Sequence, residues 1–271
     1  MSTVKALTVA GSDSGGGAGI QADIKTFQEL GVFGMSAITV VTVQNTLGVQ
    51  ALYPLPADAV AEQMRAVHTD LGIDAIKTGM LLSTDIIEAA ADQIRAFGSK
   101  NVVVDPVMVA KGGAELLRQD AVSALKRRLL PLAMVVTPNI PEAEVLAGMQ
   151  ILTMEDRREA ALKISEYGAG VVVIKGGHDP ATDDAVDLMY DGQSFTLLSG
   201  PRITSKHTHG TGCTFSAAIT AGLAKGMPVA MAIRTAREYI QAAIEDALAI
   251  GGGCGPTNHW AYNRRRQGAL R

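Results

Sequence analysis

Apolar and polar positions follow two rhythms along the chain. Short, β-branched runs recur roughly every 30 residues: KALTVA (5–10), AITVVTV (37–43), DAIKT (74–78), NVVVD (101–105), AMVVT (133–137) and VVVIK (171–175). Nearly continuous apolar runs of this kind predict strands buried on both faces. Between them lie segments with apolar residues at three- and four-residue spacing, such as DAVAEQMRAVHTDL and STDIIEAAADQIRAFG. The second opens on Ser83 or Thr84 as a cap and closes on Gly98, so both segments read as helices. In HGTGCTFSAAIT the same spacing links Phe215, Ala218, Ile219, Gly222 and Leu223, which predicts a helix from about Cys213 into Lys225. Alternating β and α units predict a mainly parallel sheet with helices on both faces. AVDLMY and QSFTLL flank Asp191-Gly192, a hairpin turn, so an antiparallel element is expected at the sheet edge. No linker or repeat divides the chain, and one domain over 1–271 is expected, with 263–271 as a solvated tail.

The residues just past each strand carry the chemistry. GSDSGGGAG comes after the first strand, Gln44 and Asn45 after the second, Gly79 and Met80 after the third, and Asp105 closes the fourth. Pro138, Asn139 and Glu142 come after the fifth, and Lys175, two glycines and His178 after the sixth. In a parallel sheet these C-terminal ends share one edge, where open α/β proteins bind ligands. Asp105, Glu142 and Lys175 together suit a magnesium–nucleotide site. Gly210, Thr211 and Gly212 precede a helix start, where free N–H groups and close-approach glycines form a phosphate cradle with Cys213 in its first turn.

Charge narrows the partners. The chain has 24 Lys+Arg against 27 Asp+Glu, which gives no reason to expect nucleic acid or an anionic membrane. Arg264 to Arg266 form the only dense basic cluster and read as part of the tail. Two distant cysteines, Cys213 and Cys254, offer neither a disulfide framework nor a metal pair, which suits a reducing compartment. The N-terminal apolar run is too short for a signal peptide and no later stretch is long enough for a membrane span, so a cytoplasmic protein is expected. There is no Gly-Lys dipeptide, hence no P-loop. GGGAGI and GTGCTF both break the dinucleotide fingerprint at its last glycine.

The combination of VAGSDSGGGAGIQADIKTF, KTGML, VVVDPVMV, TPNIPEAEVL, VVIKGGH and HGTGCTFSAAI resembles the hydroxymethylpyrimidine/phosphomethylpyrimidine kinases of thiamin biosynthesis, in the ribokinase superfamily. The likeness runs nearly to Tyr262. It implies a ribokinase-like three-layer α/β/α fold, ATP and Mg²⁺ as cofactors, a homodimer, and phosphorylation of 4-amino-5-hydroxymethyl-2-methylpyrimidine and then of its monophosphate. Most of the superfamily places a catalytic aspartate where Cys213 stands, and the pyrimidine kinase and related pyridoxal kinase branches share this departure.

On that likeness Cys213 is expected as general base, its thiol shifted towards thiolate at the helix N-terminus, beside a cradle formed by Gly210, Thr211 and Gly212. Asp105 and Glu142 are expected to hold Mg²⁺ directly or through water, Asn139 to orient Glu142 or a water, and Lys175 to neutralise an ATP phosphate. Gln44 matches the family's pyrimidine-binding glutamine, since a carboxamide complements an aminopyrimidine edge. Gly11, Ala18, Met80 and Val107 are expected to wall the ring, and Asp23 to meet the hydroxymethyl group. Pyridoxal kinase is the alternative on the same scaffold, and a non-catalytic nucleotide- or precursor-binding regulator is the alternative of another class.

Overall fold

The structure, a computed structural model, describes residues 3–109, 116–117, 119–177 and 184–268. Each predicted apolar run forms a strand, because a β-branched run with no polar face is stable only between two covering layers. Among the described residues nine strands build one sheet: β1 (Lys5–Asp13), β2 (Phe33–Asn45), β3 (Gly48–Pro54), β4 (Ala75–Thr78), β5 (Val102–Val104), β6 (Val135–Val136), β7 (Val171–Ile174), β8 (Asp184–Tyr190) and β9 (Phe195–Pro201). Their order is β3-β2-β1-β4-β5-β6-β7-β8-β9. The six strands from β2 to β7 in that order pair in parallel, and the expected hairpin β8–β9 adds an antiparallel edge. A second antiparallel edge, β3 on β2, lay outside the sequence expectation, because no tight Asn-Gly or Asp-Gly turn announces it.

The helices are α1 (Gly19–Glu29), α2 (Ala57–Asp70), α3 (Thr84–Ala96), α4 (Gln119–Ala124), α5 (Ile140–Ala147), α6 (Met154–Ser165), α7 (Thr211–Ala224), α8 (Val229–Glu245) and α9 (Ala261–Arg266). Alternate residues of one strand feed opposite cores. Val102 and Val104 pack with α2, α3, α5 and α6, whereas Val103 packs with Phe215 and Ile219 of α7 and Ile233 and Tyr239 of α8. Ala6, Phe27 and Ala217 join α1 to this second face. The result is the three-layer α/β/α arrangement. Ser83 caps α3 by accepting the Ile86 N–H, and α7 begins two residues earlier than its apolar spacing suggests, with Gly210 as cap.

Of the expected solvated tail, residues 263–266 belong to a helix, 264–268 are exposed, and 269–271 lie outside the described residues. Helix α9 runs to Arg266, Asn263 donates to the Glu29 side chain at 2.9 Å, and the Tyr262 ring lies 5.4 Å from that of Tyr239. Arg264 to Arg266 stay exposed, as charged side chains on the outer face of a terminal helix do. No helix of the described residues is long and apolar enough to cross a membrane.

Candidate active site

The C-terminal ends of the parallel strands open into a cleft of about 900 Å³. Two glycine turns shape one side. Strand β1 ends on Asp13, whose carboxylate accepts N–H bonds from Gly15 (2.8 Å), Gly17 (3.0 Å) and Ala18 (2.8 Å) and so folds the glycine loop around itself. Gly210, at φ +79°, sits against that loop, and a Cβ there would collide with the Gly17 carbonyl oxygen. A Cβ at Gly17 would in turn lie 2.6 Å from His209 Cδ2. Gly210 is therefore required for both contact and conformation, and Gly17 for contact. Helix α7 leaves this contact with Thr211, Gly212 and Cys213 of its first turn lining the cleft, and a helix N-terminus there favours negative charge.

The charged floor lies beside it. Lys175 Nζ meets Asp105 Oδ1 at 2.9 Å, and Asp105 also accepts from Thr137 Oγ1 (3.3 Å) and Ser216 Oγ (3.2 Å). Burial opposes ionisation of Asp105, but the charges of Lys175 and Lys77 outweigh it and hold the carboxyl below the usual carboxylate range. A Cβ on Gly212 would stand 3.4 Å from Lys175 Nζ and 3.5 Å from Asp105 Oδ2, so the ion pair abuts the first turn of α7. Asn139 and Glu142 form a reciprocal capping box on α5: Glu142 N–H donates to Asn139 Oδ1 at 2.9 Å and Asn139 N–H to Glu142 Oε2 at 2.8 Å. The expected orienting role of Asn139 thus takes the form of a helix cap. Burial pushes the Glu142 carboxyl up to about 7.

Gln44, Gly11, Ala18, Met80 and Val107 line the same cleft. So do Gly210, Thr211, Gly212 and Cys213, together with Asp105, Asn139, Glu142 and Lys175. His178 lies outside the described residues. Two expectations are corrected. Asp23 is fully buried on α1, where its Oδ2 accepts from Lys77 Nζ at 2.9 Å and Thr8 Oγ1 at 2.6 Å, and it is absent from the cleft wall. A carboxylate sealed by a lysine balances that lysine instead of meeting a substrate hydroxyl. Cys213 is a free, half-buried thiol. Burial pushes it up to about 11 against the opposing pull of Lys77, the reverse of the shift towards thiolate expected at a helix N-terminus.

Three residues of the site escaped the sequence reading. Asp13 stands inside the first glycine run, and an Asp directly before such glycines is itself a signal for a side-chain-capped turn. Lys77 stands in an otherwise apolar strand, the anomaly that marks a paired buried charge. Burial alone would push Lys77 down, yet the attraction of Asp23 keeps it charged and raises it above the usual lysine range. His209, whose Nε2 lies 2.8 Å from Asp13 Oδ2, gave no signal beyond its place before the turn.

Among the described residues no three His, Cys, Asp or Glu side chains converge as a ready-made metal cage. Asp105 and Glu142 nevertheless suit magnesium, which usually keeps several waters beside one or two carboxylates and substrate phosphates.

The phosphomethylpyrimidine kinase family matches residues 13–258 of the chain. The hydroxymethylpyrimidine/phosphomethylpyrimidine kinase of Bacillus subtilis is 55% identical over 264 residues, spanning 97% of each chain. The thiamine biosynthesis bifunctional protein of Geobacter sulfurreducens is 54% identical over 253 residues, which are 93% of this chain and 51% of that protein. Among solved structures, an ADP complex of Bacillus subtilis pyridoxal kinase superposes with a TM-score of 0.91 at 48% identity, covering 97% of this chain and 99% of the other.

Proposed function

The chain belongs to the phosphomethylpyrimidine kinase family and has its ribokinase-like fold, and from that premise we propose how its cleft works. The chain is a phosphotransferase of thiamin biosynthesis that uses ATP to phosphorylate hydroxymethylpyrimidine and its monophosphate. The observation that carries the site assignment is the contact of Gly210 with the glycine loop. It sets the α7 N-terminus beside the Asp105–Lys175 pair and in one cleft with Gln44.

In our reading Gln44 pairs with the ring nitrogen and amino group, while Gly11, Ala18, Met80 and Val107 leave room for a flat ring. The substrate hydroxyl oxygen attacks the terminal phosphorus of ATP, the bond to the bridging oxygen breaks, and ADP leaves. Charge on the transferring group meets the N–H groups of Gly212 and its neighbours, as in an oxyanion hole. Lys175 neutralises a phosphate oxygen. Transfer through a loose transition state needs positioning more than a strong base. A neutral Cys213 thiol therefore suffices to orient the hydroxyl, whose proton passes late to an oxygen of the transferred phosphoryl group. Magnesium, when bound, supplies charge neutralisation on the phosphates, and Asp105 and Glu142 would hold it through water.

We place the protein in the cytoplasm as a homodimer. Support for the dimer comes from the paired Val41 and Tyr53 on β2 and β3, exposed beside Val43 and Leu47 as an outward apolar face. Likeness to a pyridoxal kinase keeps pyridoxal as a second acceptor to be measured. The test is a coupled ADP-release assay with hydroxymethylpyrimidine, its monophosphate and pyridoxal side by side: both pyrimidines are expected to outrun pyridoxal in kcat/KM by about tenfold or more, the discrimination open to a hydrogen-bonding site. A preference for pyridoxal would overturn the substrate assignment.

A further inference from the structure

The side chain of Gln44 is held between two polar neighbours. In the structure the amide oxygen Oε1 lies 3.3 Å from Thr42 Oγ1 and the amide nitrogen Nε2 lies 3.3 Å from His209 Nε2. A half-turn of the amide exchanges the two, and the hydrogen-bond network decides between them. His209 Nε2 is also 2.8 Å from Asp13 Oδ2. A threonine hydroxyl donates or accepts with equal ease, so Thr42 leaves the amide free to face either way. The histidine does not. Asp13 already accepts from the N–H groups of Gly15, Gly17 and Ala18, a role that only an acceptor fills. Burial opposes its ionisation, but the hydrogen bond and charge of His209, with the backbone donors, outweigh it and hold the carboxyl below its usual range. Facing an ionised carboxylate at 2.8 Å, Nε2 of His209 carries a proton. That single N–H goes chiefly to Asp13 Oδ2 and only secondarily towards Gln44, and an amide NH₂ at 3.3 Å from the same protonated nitrogen would set donor against donor.

We infer that the Nε2–H of His209 turns the Gln44 carbonyl oxygen towards the histidine and the NH₂ towards Thr42 Oγ1, so that the Asp13–His209 pair sets which way the ring-reading amide faces. This rests on the reading of Gln44 as the group that meets the pyrimidine. In that orientation one lone pair and one N–H of the amide stay available for the ring, and they are presented in a fixed order. An aminopyrimidine edge, with an acceptor nitrogen beside a donor amine, matches only one of the two orders. Amide orientation follows from the surrounding hydrogen-bond network, and here that network has a single polarised member. The backbone is clamped as well: Gln44 N–H donates to Ser14 Oγ at 2.8 Å, and Ser14 Oγ donates to the Gln44 carbonyl at 2.7 Å. With the main chain held, the amide torsion is the freedom left for His209 to remove. His209 is thus a positioning residue for specificity, placed where its ring also packs on Gly17 of the glycine loop.

The test separates this from simple support of the anion turn. kcat and KM are measured for hydroxymethylpyrimidine, pyridoxal and ATP on wild type, His209→Leu, His209→Gln, Gln44→Leu and the double variant. His209→Leu is expected to raise the pyrimidine KM about tenfold with little change in kcat or in the KM for ATP, and to move the pyrimidine-to-pyridoxal kcat/KM ratio about tenfold towards pyridoxal. His209→Gln, which keeps an N–H donor at similar reach, should restore most of that ratio. In the Gln44→Leu background the histidine change should alter the ratio by less than about twofold, because two residues acting through one contact are not additive. Equal losses for both substrates, a raised KM for ATP alone, or full additivity in the double variant would overturn the inference. Nitrogen-15 spectra of the substrate-free chain read the ring and amide whatever the chain phosphorylates. They are expected to show a protonated His209 Nε2 and Gln44 NH₂ protons close to Thr42. An unprotonated Nε2, or NH₂ protons close to the histidine, would overturn the inference, whereas the expected spectra without pyrimidine turnover would fault the substrate reading alone.

Discussion

Cys213 and Cys254 have the same side chain and opposite surroundings. Cys213 stands in the first turn of α7, lining the cleft and feeling the charge of the buried Lys77. Cys254 lies in the glycine-rich segment, with its N–H on the Thr46 carbonyl and its sulfur 3.9 Å from Thr208 Oγ1. Cys213→Ser is expected to keep the fold and ATP binding while lowering kcat by about tenfold or more, the scale of a lost transition-state contact, with Cys254→Ser nearly silent. Equal losses in a steady-state assay would remove the thiol from the mechanism and leave the backbone cradle. Glu142 invites a different measurement. Because burial pushes its carboxyl up to about 7, it binds a cation only by giving up its neutral form, and Glu142→Gln removes that option. The variant is expected to lose activity at limiting magnesium and regain part of it as free Mg²⁺ rises. An unchanged rate at low magnesium would take Glu142 out of the site.

At the scale of the element, α7 does more than its amphipathic pattern requires. Its start is set by Gly210, which combines a left-handed backbone with contact against the Gly17 carbonyl. Beyond its end stands Gly226, equally left-handed at φ +77° but with nothing within 4 Å of the position a Cβ would take. The two glycines make an internal comparison. Gly226→Ala meets only backbone strain, on the order of 1 kcal/mol, and should leave kcat unchanged. Gly210→Ala meets the same strain and also forces the two glycine turns apart, so kcat should fall by about 100-fold, the scale of a displaced oxyanion-hole donor. Thermal unfolding and kinetics on both variants check this. Similar activity in the two would mean that the turn-to-turn contact does not place the phosphate cradle. The sequence made the helix legible, through Phe215, Ala218, Ile219 and Leu223. It could not show the partner loop, because Gly17 and Gly210, distant in sequence, meet only where α7 packs on α1 and β1 through Ala217, Phe27 and Ala6.

Across the whole molecule the C-terminal segment ties α8 and α9 back onto the catalytic helix through His259. Its ring nitrogen Nε2 lies 3.1 Å from Thr214 Oγ1 of α7, and its carbonyl accepts from the Tyr239 hydroxyl of α8. Burial, aided by the charge of Lys25, pushes His259 down from 6.5 to about 4. As pH falls below 6.5 the unfolded chain takes up a proton here that the folded chain refuses, so stability is lost between about 6.5 and 4 and none is lost above that range. The full effect is on the order of 3 kcal/mol at the acid end. Glu142, raised by burial to about 7, adds stability over the same range as pH falls. Urea unfolding from pH 7 to pH 4 therefore isolates His259 by difference: the wild type should lose stability relative to His259→Gln, which is itself the less stable at pH 7. An identical pH slope in the variant would assign the decline to other groups.

Alternating apolar runs and helical spacings determined the three-layer fold, since burial on both faces leaves a β-branched run no other stable setting. The same pattern placed Asp105, Glu142, Lys175 and Gln44 at one sheet edge, because chain direction in a parallel sheet sends every strand's end the same way. The Ser83 cap was legible because it acts over three residues of sequence, whereas the equally local Asn139–Glu142 capping box was read only as a candidate metal site. Tertiary structure alone decided the rest. It turned Asp23 from an expected substrate partner into the counter-ion of Lys77, 54 residues away, set Lys175 on Asp105 across 70 residues, and brought His209 to Asp13 across 196. It also reversed the expected shift of the Cys213 thiol. A helix N-terminus favours thiolate and is visible in sequence, but burial opposes it more strongly, and burial is a property of what the remaining chain packs around the sulfur.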